Sequence, residues 1–188
     1  MRRRLHERPP TVTTRRLRRL RPLVIAAYAV VGAVALVVLA GIPVFVFPPE
    51  DPTDGADAVF VLGLPTRARI ERAREISLEN GSAPIFVSSP GLNRYWCSQP
   101  DLECFEPSPA TTKGEASLLK ELASEFGFER PVVVTFAPHV VRARYIFQEC
   151  YGPDVSLVAA QDPLGPGDWL YQYAYQSASF VKNAAQSC

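Results

Sequence analysis

The sequence predicts a three-layer α/β domain with a mainly parallel sheet, preceded by one transmembrane helix at the N-terminus. Three observations support this fold class. Residues 23–47 contain no charged side chain over 25 positions. Beyond them, short apolar runs alternate with segments of helical periodicity, an order typical of parallel sheets covered by helices. The apolar runs are not interrupted by polar residues, which indicates strands buried on both faces.

The uncharged segment 23–47 is long enough to span a bilayer, because a helix rises about 1.5 Å per residue and the hydrocarbon core is about 30 Å thick. The 22 residues before it contain nine arginines and one acid, Glu7. Such an excess of positive charge marks the cytoplasmic flank. The sequence therefore predicts a single-pass plasma membrane protein with a cytoplasmic N-terminal arm, 1–22, and an extracytoplasmic C-terminal domain.

A cleaved signal peptide is the alternative interpretation of the apolar segment. Ala40 and Gly41 are small residues of the kind found at cleavage sites. The apolar region of a signal peptide is, however, roughly 7–15 residues long. The greater length found here favours a signal-anchor that stays in the membrane.

The net charge of +1 conceals two regions of opposite sign. Nine of the 20 basic residues precede residue 23, and the other 11 share the rest of the chain with 18 acids. We expect the basic arm to contact the anionic headgroups of plasma membrane lipids. Membrane topology accounts for the arginines, so no nucleic acid partner is expected.

All four cysteines follow the apolar segment, and an even number of exported cysteines predicts two disulfides. Three pairings are possible. We favour Cys97 with Cys104 as a local clamp, which leaves Cys150 with Cys188. A zinc site is the alternative, but the spacing of the first pair and a single histidine in the domain fit zinc poorly. No metal and no cofactor are expected.

Proline and acidic residues at 48–56 predict an extended linker. The remainder, 57–188, has about 130 residues, an ordinary size for one domain. The apolar runs predict strands, and the helical patterns between them predict helices. The predicted strands are 58–62, 84–87, 102–105, 132–135 and 155–159, and the predicted helices are 67–80, 112–126, 138–150 and 168–185.

The last predicted helix carries an apolar stripe at helical spacing, which favours packing against the core over an aromatic ligand site. Tyr171 and Tyr175 lie off this stripe and are expected to be exposed. The stripe consists of Trp169, Leu170, Tyr173, Ala174, Ser177, Phe180, Val181 and Ala184.

Ligands of open parallel sheets bind beyond the carboxyl ends of the strands, so the residues after each strand are the candidate site. Gly63 ends the first strand and Arg69 follows one turn into a helix, but one glycine is not a dinucleotide fingerprint. Ser88 ends the second strand without the Gly-x-Ser-x-Gly surroundings of a hydrolase nucleophile. Thr112 and Glu115 have the spacing of a capping box, at a helix start that also attracts anions.

The most specific candidates follow the strand that contains Thr135. His139 and Arg142 are three residues apart and lie on one face of the predicted helix. A guanidinium beside free helix amides is a good receptor for phosphate or carboxylate. Its charge disfavours imidazolium, which leaves a neutral histidine able to transfer a proton. An incidental polar helix start is the structural alternative.

Taken in order, these strand ends resemble the YdcF/SanA/ElyC-like family, a domain of unknown function in bacterial envelope proteins. The chain departs from the family pattern where Leu64-Pro65 and Ser89-Pro90 replace glycines, and where a cysteine-bearing loop replaces a helical unit. The similar segments are Asp57–Gly63, Arg69–Ala73 with Glu79–Gly81, Ile85–Ser88, Thr112–Ala116, and Val133–Thr135 with His139, Arg142 and Ala143.

This resemblance implies a Rossmann-like α/β domain tethered by one N-terminal helix and linked to the cell envelope or to peptidoglycan precursors. The expected ligand is an anionic small molecule or a lipid-linked one. Two functions stay open. The domain is either an enzyme that acts on this ligand or a non-catalytic binding or regulatory protein. In the first case His139 and Glu115 are the catalytic candidates, and the ligand-binding candidates are Arg142, Thr135, Thr112, Ser88, Arg69 and Gly63.

Overall fold

The computed structural model describes residues 12–184 and Cys188. Two compact units divide the chain, Met1–Ala40 and Gly41–Cys188. Helix α1 extends over Val12–Gly41, so the helix starts well before the predicted transmembrane segment. Part of the predicted basic arm is therefore helical, and its first 11 residues lie outside the described residues.

An apolar segment at Arg21–Val46 is long and apolar enough to cross a membrane, a test that a signal sequence also passes. It agrees with the predicted span 23–47 to within two residues at either end. The segment ends in one π-helical turn, Ile42–Val46, which belongs to the second compact unit.

The second unit contains the predicted alternation of strands and helices, with boundaries within about three residues of those expected. The predicted helix 138–150 starts differently, with a 3₁₀ turn at Ala137–His139 before the α-helix. The elements after the π turn are β1 (Ala58–Val61), α2 (Arg67–Glu79), β2 (Ile85–Ser88), β3 (Glu103–Phe105), α3 (Thr112–Phe126), β4 (Pro131–Phe136), α4 (Val140–Cys150), β5 (Ser156–Ala160) and α5 (Pro166–Ala184).

The strands of the described chain form one five-stranded sheet in the order β3-β2-β1-β4-β5, and every pairing is parallel. The chain moves outward from β1 to β3 and then returns to place β4 on the other side of β1. The first five strands of the doubly wound Rossmann fold have the same order. The predicted fold class, a Rossmann-like parallel α/β sandwich after an apolar N-terminal helix, is confirmed.

Helices cover both faces of the sheet, which explains why the strands are apolar throughout. Successive side chains of a strand point to opposite faces. Phe60 of β1 is completely buried in the cluster with α3 and α4, whereas its neighbour Val61 is completely buried in the cluster with α2. Leu119 of α3 and Ile70 of α2 fill the corresponding helix layers. Both layers are therefore needed to remove the two faces of β1 from water.

The segment 48–56 has no helix or strand, as expected of a linker, but it is not separate from the domain. The Asp51 N–H donates to the Leu157 carbonyl at 3.1 Å. The Asp51 carboxylate accepts from the Leu157 N–H at 2.9 Å and from Arg144 Nε at 3.1 Å. The segment therefore covers part of β5, which is an edge strand with otherwise unpaired backbone groups.

The favoured cysteine pairs are both at disulfide distance, with Cα–Cα separations of 5.5 Å for Cys97–Cys104 and 5.4 Å for Cys150–Cys188. The first pair closes the irregular connection between β2 and β3. The second joins the end of α4 to Cys188, four residues beyond the end of α5. Both pairs indicate an oxidising compartment.

The interpretation of the last helix as a core helix is only partly right. Trp169, Tyr173 and Phe180 are partly buried, and the Phe180 ring lies 5.3 Å from that of Tyr145 of α4 at an interplanar angle of 45°. The other described members of the predicted stripe face away from the domain. They are Leu170, Ala174, Ser177 and Val181, and all four are exposed.

We predict that Asp51→Ala lowers the free energy of unfolding by about 1–3 kcal/mol, because it leaves the Leu157 N–H and Arg144 without their shared acceptor. Asp54→Ala removes an exposed carboxylate from the same segment and should change this free energy by less than about 0.5 kcal/mol. Urea unfolding of the full-length protein in detergent micelles measures both. Equal unfolding midpoints for the two variants would show that the segment is not docked.

Candidate functional site

A cavity of about 570 Å³ lies at the carboxyl edge of the sheet, where the strand order reverses between β1 and β4. The helices that follow these strands leave in opposite directions, so neither covers the gap between them. Seven of the eight predicted site residues line this cavity, and the eighth, Ser88, lies behind one of them. The lining members are Gly63, Arg69, Thr112, Glu115, Thr135, His139 and Arg142.

Glu115 connects three elements at the floor of the cavity. One carboxylate oxygen, Oε1, accepts from the Gly63 N–H at 2.6 Å and from the Ser88 hydroxyl at 2.7 Å. Gly63 follows β1, Ser88 ends β2, and Glu115 itself belongs to the first turn of α3. The sequence predicts that Gly63 and Ser88 bind the ligand, but the Gly63 amide and the Ser88 hydroxyl already donate their hydrogen bonds to Glu115.

Burial raises the pKa of the Glu115 carboxyl above its ordinary value. The hydrogen bonds from Ser88 and Gly63, together with the charges of Arg69 and Arg142, oppose this effect. The carboxyl group consequently keeps its proton to a higher pH than an exposed glutamate does. No hydrogen bond to Oε2 is found among the described residues, so this oxygen is free to meet a ligand.

The capping-box interpretation of Thr112 and Glu115 is wrong. Helix α3 begins at Thr112, and its N-cap is Thr111, whose side chain accepts from the Gly114 N–H at 3.2 Å. Glu115 turns away from the cap towards Gly63 and Ser88. A Cβ at Gly114 would overlap the Pro109 carbonyl oxygen, so glycine is required where the preceding loop crosses the helix start.

His139 is the most unusual group in the cavity wall. Nδ1 lies 3.0 Å from the Thr135 hydroxyl, and both side chains are buried. Nε2 is the one buried side-chain polar atom in the described part of the chain that lacks a hydrogen-bond partner. Leaving such an atom unpaired costs about 1–3 kcal/mol, which points to a partner supplied from outside the protein.

Burial lowers the pKa of His139 well below its ordinary value, and the charges of Arg142 and Arg69 lower it further. The imidazole is therefore neutral at pH 7. The Thr135 hydroxyl both donates and accepts, so it is compatible with either tautomer. Nε2 accordingly offers a hydrogen or a lone pair, depending on what enters the cavity.

Arg142 extends from α4 into the same cavity and is held by α5. Its Nε donates to Gln176 Oε1 at 2.7 Å, and the Gln176 amide donates to Gln172 at 2.8 Å. The guanidinium lies 5.9 Å from the centre of the Tyr175 ring. Burial lowers the pKa of Arg142, but an arginine stays charged in proteins. Within the described residues its terminal nitrogens make no hydrogen bond, so they remain available to an anion.

Arg69 has a structural role that the sequence did not indicate. Its Nε pairs with Asp162, beyond β5, at 2.7 Å, and one terminal nitrogen donates to the carbonyls of Leu62 and Leu64 at 3.2 Å each. The guanidinium also lies 4.7 Å from the Phe136 ring centre. These contacts fasten the turn after β1 to the turn after β5, while the positive charge still faces the cavity.

Helix α5 supplies one whole wall of the cavity, and sequence reasoning missed it. The sequence of α5 does contain a pattern that indicates a polar wall, because polar residues recur at helical spacing on the side opposite the apolar stripe. The apolar stripe predicts the opposite orientation, with that side packed against the core. The α5 residues at the cavity are Gln172, Tyr175, Gln176, Ser179, Lys182 and Asn183.

The cavity is positively charged. Arg69, Arg142, Lys113 and Lys182 line it, and Glu115 is the one acidic side chain among its described lining residues. The arrangement therefore favours an anionic occupant.

No family model, no curated protein and no solved structure matches this chain.

We predict that the unfolding free energy falls as the pH decreases below about 6.5, and that His139→Gln removes part of this fall. In the unfolded chain His139 gains a proton near that pH. The folded imidazole stays neutral there, because its pKa is well below the ordinary value of a histidine. The unfolded state then binds more protons, so stability is lost by up to about 1.4 kcal/mol per pH unit.

Urea midpoints of the full-length protein and of His139→Gln, measured from about pH 7.5 to about pH 5, give the comparison. The raised pKa of Glu115 acts in the opposite direction, adding stability as the pH falls, but it does so in both proteins. The difference between the two curves therefore isolates the imidazole. Parallel curves would mean that His139 is protonated equally in the folded and unfolded chains.

Proposed function

We propose that Gly41–Cys188 is an extracytoplasmic domain that binds an anionic ligand of the cell envelope, such as a phosphorylated or lipid-linked peptidoglycan precursor. We further propose that His139 transfers a proton on that ligand. The observation that carries the proposal is the buried, unpartnered Nε2 of His139 in a cavity lined by cations.

The charge of the ligand follows from the groups that would meet it. Arg142 offers its terminal nitrogens, and a planar guanidinium binds phosphate or carboxylate through two parallel hydrogen bonds. Its Nε bond to Gln176 holds the group in position before a ligand arrives. Lys182, at the cavity rim, adds a second positive charge from α5. An anion would thus find both its charge and its hydrogen-bond acceptors matched.

Proton transfer follows from the neutrality of His139 and the raised pKa of Glu115. A neutral imidazole accepts a proton through Nε2 or donates one from it, according to the tautomer that Thr135 supports. Glu115 presents Oε2 to the same cavity, and burial raises the pKa of its carboxyl above that of an exposed glutamate. Two such groups beside a bound anion suit acid–base chemistry on its leaving or attacking oxygen.

The location outside the cytoplasm is a proposal that rests on two features. Arginines are concentrated before the apolar segment, and positive flanks stay in the cytoplasm. Both cysteine pairs lie after it, where an exported domain meets oxidants. The similar motif order makes a divergent relationship to the YdcF/SanA/ElyC-like family part of this proposal.

A non-catalytic binding or regulatory protein is the second candidate function. The hydroxyls of Ser88 and Thr135 are both buried and hydrogen-bonded to Glu115 and His139. Neither is placed as an exposed nucleophile, and Glu115 already serves as a structural connection. A cavity of this kind can recognise an anion without altering it.

We predict that Arg142→Ala weakens binding of an anionic probe about tenfold to a hundredfold, the effect of losing one charged hydrogen-bonding group. Lys120→Ala is the matched control, because it removes one positive charge from the exposed side of α3 and should leave affinity unchanged. Full-length protein in lipid nanodiscs is titrated with a sugar phosphate, a polyprenyl phosphate and the uncharged polyprenol. Equal binding of the phosphate and the alcohol would contradict an anion site.

His139→Gln separates the two candidate functions. Glutamine keeps a polar side chain of similar reach but cannot exchange a proton at neutral pH. If the domain is an enzyme, this variant should bind the probe within about threefold of wild type while losing turnover by a factor of about 100 or more. Two results together would favour the non-catalytic function. The wild-type protein would bind the probe without converting it, and His139→Gln would leave envelope function unaffected.

We also predict that a reporter active only outside the cytoplasm is active when fused after Cys188. The same reporter, fused to a variant in which the arginines at positions 15, 16, 18, 19 and 21 are replaced by glutamine, should lose part of its activity, since the positive flank orients the helix. Activity of a cytoplasm-dependent reporter at the native C-terminus would overturn the proposed topology.

A further inference from the structure

The side of helix α5 that lines the cavity is polar, and the opposite side of the helix is apolar and exposed. Four residues spaced four, three and four apart line the cavity and are polar. Four others, spaced four, four and three apart on the opposite side of the helix, are apolar and exposed. The inner set is Gln172, Gln176, Ser179 and Asn183, and the outer set is Leu170, Ala174, Ala178 and Val181.

This orientation is the reverse of the usual arrangement, in which a surface helix buries its apolar stripe and exposes its polar one. Leu170 is 77% exposed and Val181 is 72% exposed. Ser177 lies on the same outer side, and its hydroxyl donates to the Tyr173 carbonyl at 2.7 Å, so it adds little polarity. A continuous apolar strip over three turns of helix indicates a surface that is covered in the working protein.

The end of the apolar N-terminal segment lies against this same helix. The rings of Phe45 and Tyr173 are 4.7 Å apart, with an interplanar angle of 55°. Gly41 lies so close to the Tyr173 ring that a Cβ there would overlap it. Both contacts lie within the compact unit Gly41–Cys188. The point where the candidate membrane span ends is therefore beside α5.

The segment that follows the candidate membrane span is too short to let the domain move far from the end of the span. Only four residues lie between Val46 and Asp51, and Asp51 is hydrogen-bonded to β5. If the apolar segment spans a bilayer, the domain is held directly at the membrane surface. Tyr173, the residue of α5 that Phe45 and Gly41 contact, lies between Leu170 and Ala174 of the exposed strip along the chain.

We propose that α5 lies along the lipid surface, with Leu170, Ala174, Ala178 and Val181 inserted at the boundary between headgroups and acyl chains. Interfacial helices bury such a face by roughly 5–10 Å. Tyr171 and Tyr175 flank the strip and stack at 5.4 Å, and amphipathic aromatic side chains favour this interface. The inner side of the helix then forms the cavity wall nearest the bilayer.

This proposal does not depend on which ligand the cavity binds. It requires only that the apolar segment span a membrane and that the outer side of α5 meet lipid. A second copy of this chain is the competing occupant of the strip, and the experiment distinguishes it from lipid.

The test places a photoreactive benzoylphenylalanine at position 170 or 181 of the full-length protein, replacing Leu170 or Val181. The control position is Leu78 on α2, which is 74% exposed and therefore equally accessible. Each variant is reconstituted in vesicles of phosphatidylethanolamine and phosphatidylglycerol without added ligand, then irradiated. Lipid adducts are measured by mass spectrometry, and protein dimers by denaturing gel electrophoresis.

We expect phospholipid adducts at positions 170 and 181 to exceed those at position 78 on the order of tenfold, because only an inserted face meets acyl C–H groups. Adducts equal at all three positions would overturn the proposal. Covalent dimers in place of lipid adducts at 170 and 181 would also overturn it and would assign the strip to self-association. Normal circular dichroism of each variant ensures that the exposed substitutions have not unfolded the domain.

Discussion

The reversal of the strand order between β1 and β4 is the constraint on which the rest of this structure depends. Parallel strands direct all their carboxyl ends to one edge, and at the reversal point the helices on the two sides diverge. The gap admits polar side chains from both sides of the sheet. Glu115 reaches it from α3 on one side of the sheet, and Arg69 reaches it from α2 on the other. Buried polar groups are tolerated there because the neighbouring turns supply their partners.

Burial has different effects on the three kinds of ionisable group at this edge. It raises the pKa of Glu115 and lowers that of His139, so the neutral forms of both are favoured. It cannot discharge Arg142, because a guanidinium keeps its proton throughout the accessible pH range. The same desolvation that favours the neutral acid and the neutral imidazole therefore leaves the positive charge of the guanidinium in place, which gives the cavity its preference for anions.

Helix α5 completes the cavity and, at the same time, forms an outer surface. Its amides hold Arg142 through Gln176, so the position of the guanidinium depends on how the helix docks. Two contacts secure that docking, one from Phe45 to Tyr173 and one from Tyr145 to Phe180. The cysteine pair Cys150–Cys188 joins the C-terminal residue, four positions beyond the end of α5, to the end of α4, which carries Arg142. The geometry of the site is thus linked to the end of the apolar segment.

The sequence by itself determined the fold class, the strand positions and seven lining residues of the cavity, because uninterrupted apolar runs and the residues that follow them are local signals. The tertiary structure alone decided the partners of Glu115, the pairing of Arg69 with Asp162 and the docking of Asp51, since these contacts join residues far apart in the chain. It also decided the orientation of α5. Periodicity identifies two unlike sides of a helix, but only the neighbouring groups determine which side faces inward.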